Sequence, residues 1–191
     1  IEGLDHFTMF VIVDDGDSGY TDNDWNLFST GGYQGDTRWV TKEQTGKTAT
    51  WTYTGDTISN GAIFLSWTIW TTQATNATYN VLGSNTVTVN QKLYADRTTS
   101  GANGTWSGWY RVPGTYNILN NSTVTLSVVS DATNGNLSAD AVAFVDLDEK
   151  PSEVWVDDDY TSQNNTGEYF WGYNAFNNIQ NGINAVKDGG T

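Results

Sequence analysis

The sequence contains no cysteine and only one histidine, His6. Without cysteine, neither disulfide bonds nor thiolate chemistry is available, and a single histidine excludes a zinc site built from several histidines. A Ser-His-Asp arrangement could use only His6, which precedes the first predicted strand. The chain therefore lacks the side chains on which most nucleophilic hydrolases depend.

Basic residues are also scarce. With 8 Lys and Arg against 22 Asp and Glu, the formal net charge is -14. A surface of this sign repels nucleic acid and anionic membranes. No stretch approaches the roughly 20 consecutive apolar residues of a membrane helix, so membrane insertion is not expected. The partners that this charge favours are cations.

The first residue is Ile1 rather than Met, as expected of a mature or excised product whose secretion signal has been removed. Thr, Ser, Gly and Asn are abundant, and Asn-x-Ser/Thr acceptors for glycosylation are frequent. The acceptors are Asn76, Asn103, Asn120, Asn121, Asn136 and Asn164. These features indicate an extracellular protein, secreted or at a cell surface.

Between residues 9 and 147 the hydrophobic pattern has a period of two, in short runs separated by Gly, Asn, Asp and Ser. In the run 48–53, for example, Ala49, Trp51 and Tyr53 share one face and the other face is all Thr. About nine such runs, with no helical pattern among them, predict an all-β fold, an antiparallel, jelly-roll-like β-sandwich. The runs are 9–13, 38–41, 48–53, 62–71, 78–82, 85–91, 106–112, 123–129 and 140–145. Residues 1–8 form a predicted N-terminal extension, a possible inter-subunit strand, and 148–153 a linker.

Residues 154–191 have a different pattern and predict a small appendage of one strand and one α-helix. The apolar run 154–156 is the strand, and later apolar residues recur at the spacing of one helix face. Asn174 is the predicted N-cap, and Gly189 and Gly190 mark the end of the helix. The helix face consists of Phe176, Ile179, Ile183 and Val186.

Several motifs of the sandwich occur in the order and at the separations of one family. They are VIVDDGDSG at 11–19, TATW at 48–51, ATNATYNV at 74–81, VTVNQ at 87–91, GTW at 104–106 and ADAV at 139–142. The stretch 11–146 resembles the golvesin C-terminal-like domain, a carbohydrate-binding-module-like sandwich that is also found attached to xanthan lyases. The resemblance implies a non-catalytic extracellular module that binds sugar or mediates assembly.

The C-terminal segment has a resemblance of its own. With VWVDDDY at 154–160, WGY at 171–173, FNNIQ at 176–180 and GGT at 189–191, it resembles the N-terminal cap of pectate-lyase-like right-handed parallel β-helix proteins. In that family the Gly-Gly-Thr leads into the first β-helix rung, and the lyase active sites lie on the rungs. Either the chain is a fragment of a larger protein, or the strand and helix find their missing neighbour on another copy, since an unpaired strand edge recruits partners. The predicted assembly residues are Leu4, Phe7, Trp155, Phe176, Ile179 and Ile183.

Acidic residues are concentrated just after the first predicted strand. Five carboxylates lie between Asp14 and Asp24, and hard oxygen ligands in a glycine-containing loop suit calcium, although the spacing is not that of an EF-hand. In related carbohydrate-binding sandwiches, acidic residues of the first strand meet an Asp of the last at a calcium ion. Asp14, Asp15, Asp17 and Asp140 are therefore the predicted ligands of a calcium cofactor. The alternative is a solvated turn whose Asp and Gly residues serve hairpin geometry.

Aromatic residues are frequent, with 9 Trp and 10 Tyr. Trp51 and Trp67 lie on apolar strand faces and are predicted core residues. Trp70 and Trp109 have the opposite parity, which would leave them exposed or at an interface. The predicted glycan-binding or interface residues are Trp70, Trp106, Trp109 and Tyr110.

Two functions remain from different classes. The first, which we favour from the sequence, is a non-catalytic structural subunit that assembles with other copies of itself into an extracellular filament or sheath. The alternative is a glycan-binding module of a secreted polysaccharide-processing or adhesive β-helix protein. An enzyme is not expected, because most acids fall in Gly- and Asn-rich turns where water would keep them ionised.

Overall fold

The structure, a computed structural model, describes residues 10–129, 133–160 and 169–191. The predicted extension 1–8, with Leu4, His6 and Phe7, and the acceptor Asn164 lie outside these residues. The described residues form the strands β1 (Phe10–Val13), β2 (Tyr20–Asp22), β3 (Asn26–Phe28), β4 (Thr37–Val40), β5 (Thr48–Thr52), β6 (Ile58–Leu65), β7 (Thr68–Ile69), β8 (Ala77–Val81), β9 (Asn85–Val89), β10 (Thr105–Trp106), β11 (Tyr110–Arg111), β12 (Tyr116–Ile118), β13 (Thr123–Ser127), β14 (Leu137–Ala139), β15 (Val142–Asp146), β16 (Trp155–Val156) and β17 (Ala175–Phe176), a 3₁₀ turn (Tyr33–Gly35) and the helix α1 (Ile179–Ala185).

In the described residues, three larger antiparallel sheets and the antiparallel pair β7–β10 form the sandwich. Sheet A has the order β1-β15-β6-β11, with β12 also pairing with β6. Sheet B has the order β2-β5-β13-β8-β9, and sheet C has the order β14-β4-β3. The predicted fold class, an all-β antiparallel sandwich with a small C-terminal strand and helix, is confirmed.

Alternation along the strands explains how the sheets pack. In β5, Ala49 and Trp51 are buried while the intervening Thr residues are half-exposed, and Thr50 pairs with Thr125 across the outer face of sheet B with hydroxyl oxygens 3.2 Å apart. The buried face of sheet B meets Ile63 and Leu65 of sheet A in the main core. Period-two patterning thus places this core between the two sheets.

The outer face of sheet A is covered by the C-terminal segment. The ring centroid of Phe170 lies 4.9 Å from that of Phe64 and 5.3 Å from that of Trp109, and Tyr173 joins the same buried cluster. Strands β6 and β15 are therefore buried on both faces, although an antiparallel sheet commonly leaves one face to solvent.

The C-terminal segment forms a two-stranded parallel sheet and one short helix. Strand β16 pairs with β17, and α1 begins at Ile179 with Asn178 as its N-cap, whose side chain accepts a hydrogen bond from the Asn181 amide at 2.8 Å. The predicted N-cap Asn174 is wrong, because its side chain accepts from the Phe170 amide at 2.6 Å. Phe176 likewise belongs to β17 and not to the helix.

The predicted apolar face of the helix remains open. Ile179 and Ile183 are 70% and 60% exposed, and Trp155 and Val156 beside them are also exposed. Gly182 is the residue of α1 that is buried. It lies so close to Val156 that an added Cβ would come within 2.6 Å of the Val156 Cγ2. In the part of the chain that the structure describes, no helix is long and apolar enough to cross a membrane.

Candidate functional site

A cleft of about 230 Å³ opens beside sheet C. Aromatic rings and uncharged polar side chains line it: Phe28, Thr37, Trp39, Trp70, Thr72, Gln73 and Asn136. Pockets for drug-sized ligands have volumes of roughly 300–1,000 Å³. The cleft is therefore of a size for one small, uncharged group.

Sheet C supplies the floor of the cleft and the β7–β8 loop supplies a wall. Thr37 and Trp39 are two residues apart on β4 and therefore point to the same side of the strand. Phe28 is the register partner of Thr37 on β3. The ring of Trp70 stands edge-on to that of Phe28, with centroids 5.2 Å apart and an interplanar angle of 87°.

Gln73 brings a buried acceptor to the cleft. The residue is 3% exposed, and its side-chain Oε1 has no hydrogen-bond partner among the described residues. Its backbone position is fixed by a bridge to Asn136, whose amide donates to the Thr72 carbonyl at 3.0 Å. A buried acceptor without a partner is costly, so Gln73 is an unusual side chain to find beside the cleft.

A buried hydrogen-bond network connects β4, which forms the floor of the cleft, to β14 and to Gln91. The Thr37 hydroxyl donates to the Ala139 carbonyl at 2.8 Å and lies 3.0 Å from the Ser138 hydroxyl. Gln91 binds both backbone groups of Ser138, donating to its carbonyl at 2.7 Å and accepting from its amide at 2.9 Å. Strand β4 is also paired on both sides, with β14 and β3. The floor is therefore rigidly held.

A second group of functional side chains, the acidic cluster, consists of Asp14, Asp15 and Asp36. One carboxylate oxygen from each lies within 4.8 Å of the others. The Asp15 side chain is fully buried, and the Arg38 Nε lies 3.8 Å from its Oδ2. One Asp14 oxygen and both Asp15 oxygens have no hydrogen-bond partner in the described chain.

The environment of the acidic cluster opposes ionisation. Burial raises the pKa of Asp14 to about 6 and that of Asp15 to about 7, with the neighbouring carboxylates adding to the shift. Two unit negative charges 4.8 Å apart, the limit for the carboxylate oxygens of the cluster, repel by about 3 kcal/mol at an effective dielectric constant of roughly 20. Asp14 and Asp15 are exceptions to the expectation that the acids of this loop are surrounded by water, because both side chains are buried.

The other two predicted calcium ligands have different partners. Asp17 is exposed, and its Oδ2 accepts from the Asp14 amide at 2.9 Å. Asp140 is fully buried and accepts from the Ser66 hydroxyl at 2.6 Å and the Tyr33 amide at 2.9 Å. Burial raises the pKa of Asp140 well above its ordinary value. Asp36 has no local signal in the sequence, because the tertiary fold brings it to the cluster.

The predicted aromatic platform is not formed as a unit. Trp70 lines the cleft, and Trp106 is half-buried with its ring against Tyr33 and Trp109. The prediction that Trp109 and Tyr110 contact glycan at the surface is wrong, because they are 1% and 8% exposed. Phe170 covers Trp109, and Tyr110 joins the main core.

Sequence reasoning missed Phe28, Trp39 and Gln73 as cleft residues. A signal for Trp39 was available, since it has the opposite parity to the buried Val40 on a short strand. Phe28 and Gln73 lie among Asn, Ser and Thr, where no periodicity distinguishes them.

The glycosylation acceptors differ in accessibility. Asn103, Asn120 and Asn121 are exposed, whereas Asn76 and Asn136 are half-buried. Asn136 also lines the cleft, and the Ser138 of its acceptor motif is fully buried. Glycosylation stays a prediction at these positions.

No protein family and no curated protein matches the sequence. Among solved structures, a Paenibacillus xanthan lyase is 28% identical with a TM-score of 0.51, over 72% of this chain and 13% of that chain. CBM35 from Cellvibrio japonicus Abf62 is 17% identical with a TM-score of 0.49, over 71% of this chain and 92% of that chain. The catalytic domain of a GH87 alpha-1,3-glucanase is 10% identical with a TM-score of 0.47, over 78% of this chain and 31% of that chain.

The chain therefore spans a small part of the xanthan lyase that it is similar to. This likeness agrees with the predicted resemblance of residues 11–146 to a sandwich that accompanies xanthan lyases. The predicted resemblance of residues 154–191 to a β-helix cap stays a prediction.

Proposed function

We propose that the chain is a non-catalytic glycan-binding module of a secreted protein, and that the cleft beside sheet C takes a neutral sugar. The observation that carries the proposal is the meeting of aromatic rings with uncharged polar side chains in one small cleft. This was the alternative at the level of sequence, and it now stands ahead of the filament subunit.

The chemistry of the cleft matches that of a sugar ring. A pyranose has an apolar face of C–H groups, which packs against an aromatic ring, and a rim of hydroxyls, which both donate and accept hydrogen bonds. Trp39 and Trp70 offer the rings. Gln73 and Asn136 offer amide groups to the hydroxyls.

The sugar should be neutral. Among the described residues, no acidic or basic side chain lines the cleft. A chain of net charge -14 also repels uronates and sulfated sugars over a Debye length of about 10 Å. The missing carboxylates also argue for binding rather than cleavage, because glycoside hydrolysis ordinarily needs two of them beside the scissile bond.

The comparison with the xanthan lyase supports a place among polysaccharide-processing proteins, since that enzyme is named for a polysaccharide. A module that covers 13% of such a chain would hold substrate near a catalytic domain rather than act on it. The same comparison and the glycosylation acceptors support secretion.

The proposal is tested by binding of Trp39→Ala and Trp70→Ala variants to a panel of neutral and acidic polysaccharides, by affinity electrophoresis and calorimetry. We expect the wild type to bind at least one neutral polysaccharide and no acidic one. Each variant should lose at least about tenfold in affinity, equivalent to about 1.4 kcal/mol.

The matched control is Leu119→Ala, which removes an exposed apolar side chain that does not line the cleft, and it should bind like the wild type. Circular dichroism establishes that all three variants fold. Equal binding by the wild type and both cleft variants would contradict the cleft as the site.

We propose self-association through the C-terminal segment as a second candidate function, on a separate observation. Trp155, Val156, Ile179 and Ile183 are exposed large apolar side chains within one short stretch of structure, and such patches commonly mark interaction sites. The occupant that we propose is the same surface of a second copy. This role is compatible with glycan binding, since the cleft lies on sheet C.

A further inference from the structure

We propose that an aromatic surface in the C-terminal segment binds the protonated amino sugars of a cationic polysaccharide. The aromatic surface consists of Trp155, Tyr160 and Tyr169. None of these three described residues lines the cleft beside sheet C. The site is therefore additional to the one proposed for a neutral sugar, and it does not depend on it.

The three rings of the aromatic surface are neighbours. The ring centroid of Tyr169 lies 4.8 Å from that of Trp155, with an interplanar angle of 51°, and 6.5 Å from that of Tyr160, with an angle of 31°. Trp155 is 39% exposed, and both tyrosines are half-buried. The rings therefore present a broad, shallow apolar surface to solvent.

The backbone of β16 determines which side chains border the rings. Val154 and Val156 point towards α1, since a Cβ added at Gly182 would lie 3.5 Å and 2.6 Å from their respective Cγ2 atoms. Successive side chains of a strand point to opposite faces, so Trp155 lies on the face away from α1. Asp157 has the parity of Trp155, and its amide continues the pairing with β17 at an N–O distance of 3.1 Å. The Asp157 carboxylate is therefore on the side of the strand that bears the Trp155 ring.

Negative charge is concentrated at the same end of β16. One carboxylate oxygen from each of Asp157, Asp158 and Asp159 lies within 4.8 Å of the others, and all three residues are exposed. Burial raises the pKa of Tyr160, and Tyr169 and the Asp157 carboxylate add to the shift, so this charge acts on the aromatic surface. Adjacent carboxylates attract a cation, and the faces of aromatic rings attract one as well.

The combination of rings and carboxylates identifies the class of ligand. A neutral sugar would leave the carboxylates unused, and a metal ion would leave the rings unused. A protonated amino sugar uses both, because the C–H face of its pyranose packs on a ring while its ammonium group pairs with a carboxylate. The ammonium of a lysine side chain could also pair, but its narrow chain would cover little of a surface formed by three rings.

The test is calorimetric titration of the whole chain with a short glucosamine oligomer, at a pH at which its amines are protonated and at low ionic strength, where self-association is weakest. The comparison ligands are the fully N-acetylated oligomer of the same length and a lysine oligomer of the same charge. All titrations are repeated in Trp70→Ala, so that binding in the cleft does not contribute. In that variant we expect the glucosamine oligomer to bind at least about tenfold more tightly than either comparison ligand, equivalent to about 1.4 kcal/mol.

Variants of the aromatic surface locate the site. Trp155→Ala should weaken binding of the glucosamine oligomer about three- to tenfold, because it removes the largest exposed ring. Asp157→Asn should weaken it about two- to fivefold and reduce its salt dependence, because one charge pair is lost. Asn can still accept the hydrogen bond that the Asp159 amide donates to the Asp157 Oδ1, so the turn is kept. Asp56→Asn, at an exposed position in the β5–β6 loop, makes the same change in net charge and should bind like the wild type.

Several outcomes would overturn the proposal. One is the loss of glucosamine binding in Trp70→Ala but not in Trp155→Ala, because the amino sugar would then bind in the cleft. Equal affinity for the glucosamine and lysine oligomers is another, since the surface would then recognise charge alone, as would a site for a basic protein. A wild type that binds no glucosamine oligomer would also contradict the amino-sugar site, while the neutral-sugar cleft is judged by its own panel of polysaccharides.

Discussion

Single polar residues in the interior set the shape of this molecule. Gln91 is fully buried and uses its amide to bind both backbone groups of Ser138 and the Tyr79 hydroxyl. Ser138 in turn contacts Thr37 and receives a hydrogen bond from the Thr68 amide. One side chain thereby connects sheet B to the floor of the cleft.

We expect Gln91→Leu to destabilise the fold by about 2–4 kcal/mol, because it leaves the buried Ser138 amide and carbonyl without partners. Urea unfolding followed by circular dichroism measures this. Gln180→Leu is the control, because the exposed Gln180 side chain donates a hydrogen bond to Asn184 on the same helix, and it should change stability by less than about 0.5 kcal/mol. Equal effects of the two substitutions would show that the Gln91 network contributes little.

Among elements, the segment around Phe170 has the largest structural role for its length. Its ring is fully buried between Phe10, Phe64 and Trp109, and the Tyr173 hydroxyl donates to the Glu149 carbonyl at 3.0 Å. The segment closes the outer face of sheet A.

Phe170→Ala should cost about 3–5 kcal/mol, the usual range for a fully buried phenylalanine. It should also speed proteolytic cleavage within the C-terminal segment, because the anchor of that segment is lost. Ile179→Ala, at an exposed helix position, should leave both the urea midpoint and the cleavage rate near the wild-type values. If the Phe170 variant were as stable as the wild type, the segment would not be part of the folding unit.

The strands of the sandwich could be predicted from sequence, and the reason is physical. In β5, β8 and β13 every second residue is buried. The sequence of these strands therefore alternates between residues that suit the core and residues that suit the surface. The short strands β2, β3 and β12 have few buried residues, and hence no pattern. The helix start was misplaced because Asn174 and Asn178 are both good caps, and the pairing of β16 with β17 decides between them.

For the candidate site, the sequence indicated Asp14, Asp15 and Trp70. The tertiary fold brings Asp36 to the acidic cluster and Trp39 and Gln73 to the cleft. Hydrophobic periodicity does not reveal which distant segments meet in this way. Trp109 was misjudged for a related reason. Its parity does point away from the main core, but a segment 60 residues later in the chain covers it.

At the scale of the whole molecule, net charge opposes association and the exposed apolar surface favours it. With a charge of -14, two copies repel one another at low ionic strength, and salt shortens the range of that repulsion to about 3 Å at 1 M. Association through the C-terminal segment should therefore strengthen as salt is added.

We expect light scattering to show a molar mass that rises with protein concentration at about 0.5 M NaCl and less so at about 0.05 M. The double variant Ile179→Ser, Ile183→Ser should stay monomeric in both. Leu119→Ser, which removes an exposed apolar side chain elsewhere, should behave as the wild type does. A wild type that is monomeric at every salt and protein concentration would argue against self-association.

The pairing of β4 on both of its edges has a consequence for recognition kinetics. Because the strand that bears Thr37 and Trp39 is held by β3 and β14, a sugar entering the cleft meets a surface that needs no prior ordering. We therefore expect that little conformational entropy is lost on sugar binding and that association needs no slow isomerisation. Discrimination between sugars then depends on fit to a fixed shape, so an epimer with one hydroxyl reversed should dissociate faster rather than associate more slowly.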